Sequence, residues 1–305
     1  MLFSVEKSVF GCFPGMKIVC VAARGVGEAV NGEAVSRLLA EGWKTAGEAA
    51  AAHGNPQSHP YVLPWVEHMK EAGAPRKKFP SSIEALLKRA GKGGEPFRIQ
   101  PAVDFYNAVS LSCLVPAGGF DIDQLENGLV LRFSRDGDRF QALDSDTEEA
   151  IPAGEISYAD GDIIVTRHFV WKQSKHALIN PGTRNIVFVS EIPGELPEET
   201  TGIVAAKITD GLRECFGVEA AAQIVDEDNS SSKLPEGFPP LPAASGASKK
   251  SGSLKRSRSR FSWRAQGVTE YSSSAAMPGM SSHACIYAVE PRRDSASPCL
   301  TSKIS

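Results

Sequence analysis

Cysteine and histidine are scarce in this 305-residue chain, with six of each. No CxxC, HxxxH or HExxH pair occurs, which excludes the common zinc sites. The patterns GxSxG, GxGxxG and GxxxxGK[ST] are also missing, so nothing indicates a serine hydrolase, a dinucleotide-binding fold or a P-loop. We therefore expect no metal and no cofactor. We expect the cysteines to be small buried thiols in a reducing compartment.

Long apolar runs are missing as well. The first residues, MLFSVEKSVFGCF, contain no apolar stretch of signal-peptide length, and no segment approaches the ~18 apolar residues of a membrane-spanning helix. These features predict a soluble cytoplasmic protein with no membrane partner.

Charge is distributed unevenly along the chain. The formal net charge is −3, but residues 229–305 carry eleven Lys/Arg against four Asp/Glu, so they contribute +7 and residues 1–228 contribute −10. A dedicated binder of duplex nucleic acid concentrates positive charge on its folded surface. If the acidic body binds RNA, it should therefore do so through a local pocket or patch.

Hydrophobic periodicity predicts a strand and three helices in the first 100 residues. A β-branched run at Lys17–Ala23 is typical of a buried strand. Helices are predicted around Val35–Trp43 and within Pro60–Gly73. The clearest helix follows Ser81 and Glu84, which match a capping box in which each side chain satisfies the other's backbone amide.

The period changes to that of strands after residue 128. Two runs, Leu129–Phe133 and Arg139–Leu143, flank an Asp-Gly turn and predict a hairpin. Further elements are expected as three strands and one helix: Ile156–Tyr158, Asp162–Lys172, Asn185–Val189 and, for the helix, Ile203–Phe216. The predicted fold class is therefore α/β of the mixed α+β type.

A compositional change divides the chain into two parts. Beyond Asp228 the periodicity disappears and Ser, Gly, Pro, Lys and Arg dominate, including the run Lys249–Arg260. Such a composition buries too little apolar surface to offset chain entropy. We therefore expect one domain over residues 1–228. A disordered tail over 229–305 should be dispensable for folding and could engage protein partners through its basic residues.

A basic loop precedes the predicted capping box. Arg76, Lys77 and Lys78 stand just before a helix N-terminus, where phosphate can be bound. From the sequence alone the loop is either an RNA-binding element or a solvated basic loop, and both interpretations stay open.

Several short motifs resemble, in order, those of the B3/B4 domain of phenylalanyl-tRNA synthetase β subunits. The resemblance covers roughly residues 17–217 and includes a basic loop and helix known from free-standing members. The matching segments are Arg76–Leu87, Val103–Ser110, Pro116–Asp121, Leu131–Arg132, Gly154–Glu155, Val170–Gln173, Thr183 and Val189–Glu191.

The resemblance implies a compact domain of mixed sheets covered by helices, with a pocket for the 3′ end of tRNA. In the synthetase this domain hydrolyses the ester of mischarged aminoacyl-tRNA, for example removing tyrosine from phenylalanine's tRNA. A free-standing member would do so in trans. The resemblance makes Glu191 the expected catalytic residue. It further implies a substrate-binding set of Asn107, Gly118, Trp171, Lys172, Gln173 and Thr183. At Gly118 the synthetases carry a histidine.

Alternatives remain for the individual residues and for the function. Glu191 could simply end a strand, Asn107 could satisfy backbone amides, and Trp171 could belong to the core. Asp104 and Asp121 are expected to be caps or turn formers. The rival functions are a non-catalytic RNA- or protein-binding module that kept the fold, and a binder or hydrolase of small amino-acid-like molecules.

Overall fold

A computed structural model describes residues 1–234 of the chain. Residues 235–305 of the tail predicted over 229–305, with its basic run Lys249–Arg260, lie outside the described residues. In the described part, six α-helices and twelve strands form two sheets, which confirms the mixed α/β class.

The elements follow one another in a mixed order. The helices are α1 (Lys7–Phe10), α2 (Gly32–His53), α3 (Leu63–Glu71), α4 (Ser82–Ala90), α5 (Pro101–Cys113) and α6 (Glu199–Phe216). The strands are β1 (Leu2–Val5), β2 (Lys17–Arg24), β3 (Gly118–Asp121), β4 (Leu129–Phe133), β5 (Arg139–Phe140), β6 (Glu149–Ala150), β7 (Ile156–Asp160), β8 (Ile163–Arg167), β9 (Lys172–Gln173), β10 (Asn185–Ile192), β11 (Ala222–Val225) and β12 (Ser231–Lys233).

The small sheet has the strand order β11-β2-β10-β3 and is antiparallel throughout. Alternate residues of β10, among them Ile186 and Phe188, pack with α2, α5 and α6 in one hydrophobic core. Since side chains alternate across a strand, the intervening residues face the opposite side. The central strands β2 and β10 are buried on both faces, so most of their side chains are apolar on both faces.

The large sheet has the order β12-β1-β4-β7-β8-β5-β6, with β9 paired to β8. Most of its pairs are antiparallel, but β1 runs parallel to β4 and β5 runs parallel to β8. Its inner face meets the small sheet: the Tyr158 ring lies 5.5 Å from that of Phe120, and the Tyr158 hydroxyl reaches Glu191 of β10. Helices therefore cover one face of the small sheet and the large sheet covers the other.

The predicted hairpin of residues 129–143 is wrong. The turn forms, with the amide of Asp138 donating to the carbonyl of Arg135 at 3.1 Å, but β4 pairs with β1 and β7 while β5 pairs with β6 and β8. A buried ion pair explains the difference. Arg132 donates to both carboxylate oxygens of Asp138, at 2.7 and 2.9 Å, and also to the Gly161 carbonyl. It thereby ties the turn to the β7–β8 connection.

The helix α5 had no amphipathic signal in the sequence. Eleven of its thirteen residues are buried, so no polar stripe marks its period. It packs closely on α2 at Gly42, where an added Cβ would lie 2.8 Å from the Ala108 carbonyl oxygen. The four other helices of nine or more residues lie where periodicity predicted them, although α2 continues ten residues past Trp43 to His53.

Cysteines in the described part are free thiols, and Cys20, Cys113 and Cys215 are buried as expected. Burial raises the pKa of Cys20 to about 12, so this thiol stays protonated and unreactive. None of the helices in residues 1–234 has the length and apolar character that crossing a membrane requires.

The domain extends past the predicted boundary at Asp228. Residues Ser231–Lys233 form β12, which pairs antiparallel with β1, and the Leu234 amide donates to the Met1 carbonyl at 3.0 Å. Leu234 is only 2% exposed. The sequence pattern missed this strand because three residues are too few to show an alternation.

A chain ending at Asp228 is therefore expected to be less stable than one ending at Leu234. Loss of the β12 ladder and of one buried leucine should cost about 2 kcal/mol or more. For a domain of this size this corresponds to a melting temperature lower by roughly 4–8 °C. Differential scanning calorimetry of the two truncated chains measures the difference, and equal melting temperatures would show that β12 contributes nothing.

Candidate functional site

The carboxyl group of Glu191 lies between the two sheets. It is 2% exposed, and its Oε1 accepts a 2.5 Å hydrogen bond from the Tyr158 hydroxyl. Burial raises the pKa of Glu191 to about 7, although the bond from Tyr158 acts in the opposite direction. A carboxyl group with such a pKa exists in both protonation states near neutral pH, as an acid–base catalyst requires.

The position facing this region from β3 has no side chain. Gly118 pairs with Val189, two residues before Glu191, so both glycine and glutamate lie on the same face of the small sheet. The neighbouring Gly119 faces the helices, where a Cβ would lie 2.9 Å from Ile179. The Ser190 hydroxyl donates to the Pro116 carbonyl at 2.6 Å and fixes the start of β3. Gly118 therefore presents no side chain on the face that carries Glu191, where the synthetase motif has histidine.

A row of polar side chains on the large sheet faces the same region. Thr166 pairs with both Tyr158 and Gln173, so the three side chains share one face. Gln173 donates to the Gly119 carbonyl at 3.4 Å, and Thr166 Oγ1 is buried without a hydrogen-bond partner in residues 1–234. This polar row, together with Glu191, can orient a water molecule or an ammonium group. No group of side chains suited to holding a metal ion occurs in the described part.

Asn107 is the second buried polar group among the predicted site residues, and it is 1% exposed on α5. Neither its Oδ1 nor its Nδ2 has a hydrogen-bond partner among the described residues. Buried amides are nearly always bonded. Asn107 therefore does not hydrogen-bond to backbone amides, which was the alternative interpretation. Both of its polar atoms are free to bind another group.

Thr183 and two aspartates serve the fold. The Thr183 hydroxyl donates to Asp121 at 2.7 Å, and Asp121 also accepts from the Asp123 amide. Asp104 accepts from the Ile99 amide at 2.8 Å. Both aspartates cap or shape turns, as the sequence predicted, while Thr183 has its hydroxyl committed to one of them.

Trp171 belongs to an aromatic cluster at the edge of this region, which we call the Phe79 cluster and define as Phe79, His168 and Trp171. The rings of Phe79 and His168 stack at 3.6 Å between centroids, and those of Phe79 and Trp171 meet edge-on at 4.7 Å. Phe79 and Trp171 are both half-buried. The adjacent Lys172 ammonium lies 3.8 Å from the exposed Asp144.

The basic loop divides into two parts. Arg76 forms an ion pair with the buried Glu84, at 2.6 and 2.7 Å, and therefore stabilises the start of α4. Ser81 accepts from the Glu84 amide at 3.4 Å, but the Glu84 carboxylate turns to Arg76, so the predicted capping box is only half formed. Lys77 and Lys78 are exposed and have no ion-pair partner within residues 1–234.

Several residues of this region escaped the sequence analysis. Tyr158, Thr166 and His168 belong to no motif, and only the folding of distant strands brings them to the site, while Phe79 lies inside the matched segment Arg76–Leu87 without having been singled out. One local signal exists in the structure: His168 and Phe169 both have positive φ, at 45° and 61°. Such conformations are rare outside glycine and concentrate at functional sites.

Comparisons with known proteins agree on one relationship. A family model described as the B3/4 domain matches residues 71–196. The phenylalanine–tRNA ligase β subunit of Nocardia farcinica (strain IFM 10152) is 40% identical over 62 residues, which are 20% of this chain and 7% of that protein. The chain thus spans only a small fraction of the length of this relative.

A solved structure also resembles the chain distantly. It is an N-terminal fragment of the phenylalanyl-tRNA synthetase β subunit from Pyrococcus horikoshii, with 10% identity and a TM-score of 0.37. The likeness covers 72% of this chain and 50% of that one. The family match includes α4, α5, β3, β7 and Glu191, which are the elements that build the site. Residues 71–196 of this chain are therefore similar to the B3/4 domain family.

Proposed function

We propose that the domain binds the aminoacylated 3′ end of tRNA and hydrolyses the ester of a mischarged amino acid in trans. One observation carries the proposal: a buried carboxyl, Glu191, has a pKa of about 7 and faces a row of polar groups. The B3/4 match and the similarity to a phenylalanine–tRNA ligase β subunit support tRNA as the substrate.

The reaction demands little of the protein. An aminoacyl ester is already activated, and the ribose supplies a neighbouring hydroxyl, so positioning of water and substrate provides much of the barrier reduction. Glu191 accepts a proton from the attacking water, or its carboxylate holds the α-ammonium group. Asn107 lies on α5, which packs on the other face of the small sheet, so it has no part in this reaction scheme. Because Glu191 is 2% exposed, substrate enters only when neighbouring side chains move, and Gly118 obstructs this movement least.

A non-catalytic RNA-binding module is the second candidate. Two observations favour it: Gly118 offers no side chain where the synthetase motif has histidine, and the Tyr158 hydroxyl already occupies one oxygen of Glu191. In this case the domain would bind RNA without accelerating ester hydrolysis.

Deacylation of a panel of mischarged tRNAs tests the proposal. Purified protein is expected to release the amino acid from at least one of them faster than buffer does. Gel-shift titration of the same tRNAs runs in parallel. Binding without any accelerated hydrolysis across the panel would establish the second candidate instead.

Lys77 and Lys78 are expected to contribute to RNA affinity by neutralising phosphates. Replacing both with Gln should weaken binding. It should also reduce the slope of log affinity against log salt by up to about 0.7 for each single-strand phosphate that is no longer neutralised. Arg76 is left in place because it stabilises Glu84. Lys207→Gln, which removes an exposed lysine of α6, serves as the matched control. An unchanged slope in the double variant would show that neither lysine neutralises an RNA phosphate.

A further inference from the structure

The Phe79 cluster combines an exposed aromatic surface with positive charge. Phe79 and Trp171 are half-buried, so parts of both rings face solvent. The amides of Lys78 and Phe79 both donate to the Pro75 carbonyl, at 3.0 and 3.2 Å. Lys77 and Lys78 immediately precede Phe79 in this tight turn, and Lys172 directly follows Trp171.

The negative charges around the Phe79 cluster are neutralised internally. Glu84 is paired with Arg76, and Glu155 accepts two hydrogen bonds from Arg167 at 2.6 and 2.9 Å. Lys172 lies 3.8 Å from the exposed Asp144, so the exposed Lys77 and Lys78 supply the positive charge of the local surface. A polyanion with flat ring systems matches both the charge and the aromatic surface.

Several buried polar atoms at the cluster lack partners. His168 Nε2 and Trp171 Nε1 have no hydrogen-bond partner in the described part, nor do Ser82 Oγ and Glu84 Oε2 next to them on α4. The Ser82 amide donates to the Val170 carbonyl at 2.9 Å, which joins α4 to the 168–171 segment. His168 Nε2 lies 3.5 Å from Glu155 without forming a hydrogen bond.

The backbone at the cluster is held in an unusual conformation. His168 and Phe169 are consecutive residues with positive φ, and neither is glycine. Phe169 packs against Tyr158, with ring centroids 5.9 Å apart, and Tyr158 binds Glu191. The segment that presents Trp171 therefore also contacts the residue that holds the buried carboxyl.

We infer that Phe79 and Trp171 form a stacking surface for an unpaired nucleobase of single-stranded RNA, with Lys77, Lys78 and Lys172 binding the adjacent phosphates. This deepens the proposed function, on which it rests for the identity of the RNA. The terminal unpaired nucleotides stack on the cluster while the ester reaches the space between the sheets. Sequence preference is weak at this surface, because stacking accepts every base.

Binding of a fluorescently labelled single-stranded RNA ending in CCA tests the inference directly, without any ester. Trp171→Leu and Phe79→Leu are each expected to weaken binding about 5- to 150-fold, which is the range for losing one stacked base. Phe97→Leu is the matched control, since Phe97 is another half-buried phenylalanine packed edge-on against a tryptophan, Trp43, at 6.0 Å. It should leave the affinity unchanged.

A second measurement covers the case in which the leucine variants fail to fold. Stacking of a base on Trp171 should quench indole fluorescence of the wild-type protein during RNA titration, and the quenching should be lost in the conservative variant Trp171→Phe. The same quenching in Trp171→Phe would overturn the inference. Wild-type affinity in folded leucine variants, or equal affinity for a blunt RNA duplex, would do so too.

Failures of the two proposals are distinguishable. If the protein hydrolyses mischarged tRNA but its RNA affinity does not change when Trp171 is replaced, the stacking surface alone is overturned. Stacking on Trp171 with no hydrolysis of any mischarged tRNA would overturn the esterase proposal alone.

Discussion

Glu191→Gln is expected to lower kcat/KM for the hydrolysis of mischarged tRNA by about 10²–10⁴-fold. A positioned acid–base group contributes this much, which corresponds to about 3–5 kcal/mol of transition-state stabilisation. Gln is nearly isosteric and still accepts the hydrogen bond from the Tyr158 hydroxyl, so the packing between the sheets survives. Only the ability to ionise is removed.

The distribution of the loss between kcat and KM identifies the role of the carboxyl. A general base lost from the reaction lowers kcat, whereas a lost ammonium-binding group raises KM with less effect on kcat. Glu198→Gln provides the control, because Glu198 is an exposed carboxylate just before α6. Full activity in a folded Glu191→Gln protein would eliminate Glu191 as the catalyst.

Glu191→Gln is also expected to change how stability depends on pH. The pKa of Glu191 rises from its ordinary value of 4.5 to about 7 in the folded protein because the group is buried. Between these values the unfolded chain ionises while the folded one keeps its proton. Glu191 therefore contributes its whole stabilisation below pH 4.5, and this contribution is lost as pH rises through about 7. The total loss is on the order of 3 kcal/mol.

Urea unfolding of wild type and Glu191→Gln across pH 4–8 measures this effect. The stability difference between the two proteins should shift in favour of the variant by that amount as pH rises, and other titrating groups cancel in the comparison. Tyr158→Phe removes a bond that lowers the pKa of Glu191, so it should move the window to higher pH. A difference that stays constant with pH would show that Glu191 does not titrate in the folded state above 4.5.

The titration of His168 changes stability with pH in the opposite direction, so its contribution must be separated from that of Glu191. Burial lowers the pKa of His168 from 6.5 to about 4, despite the nearby Glu155. Its stabilising contribution is therefore present above pH 6.5 and is lost as pH falls through 4. In wild type the two slopes oppose each other between pH 4.5 and 6.5, and in Glu191→Gln the His168 slope is no longer opposed by that of Glu191.

The sequence predicted the elements of the fold better than their pairing. Continuous apolar, β-branched runs located β2 and β10, and a helical repeat along one face located α6. The hairpin at residues 129–143 failed because Arg132 and Asp138, two charged residues that normally indicate solvent, are buried as a pair. Helix α5 gave no signal, since it is buried nearly all around.

The site could be predicted only where a resemblance covered it. Motifs identified Asn107, Gly118 and Glu191, and the structure places the last two on one face of the small sheet. Tyr158 could not be found this way, because its contact with Glu191 joins residues 33 positions apart across two sheets. The different roles of the basic-loop residues could not be predicted either. Only the fold shows that Arg76 is paired with Glu84 whereas Lys77 and Lys78 are not.

The pairing of the first strand with the last one has a consequence for synthesis on the ribosome. β1 leaves the exit tunnel before the other described elements, yet one of its edges stays uncovered until β12 emerges more than 200 residues later. Through this interval the nascent chain exposes a free sheet edge, which is a template for wrong pairing. A nascent chain that has emerged from the tunnel only as far as Asp228 should therefore be cleaved readily by proteases near β1. Emergence of the next few residues, which form β12, should protect this edge.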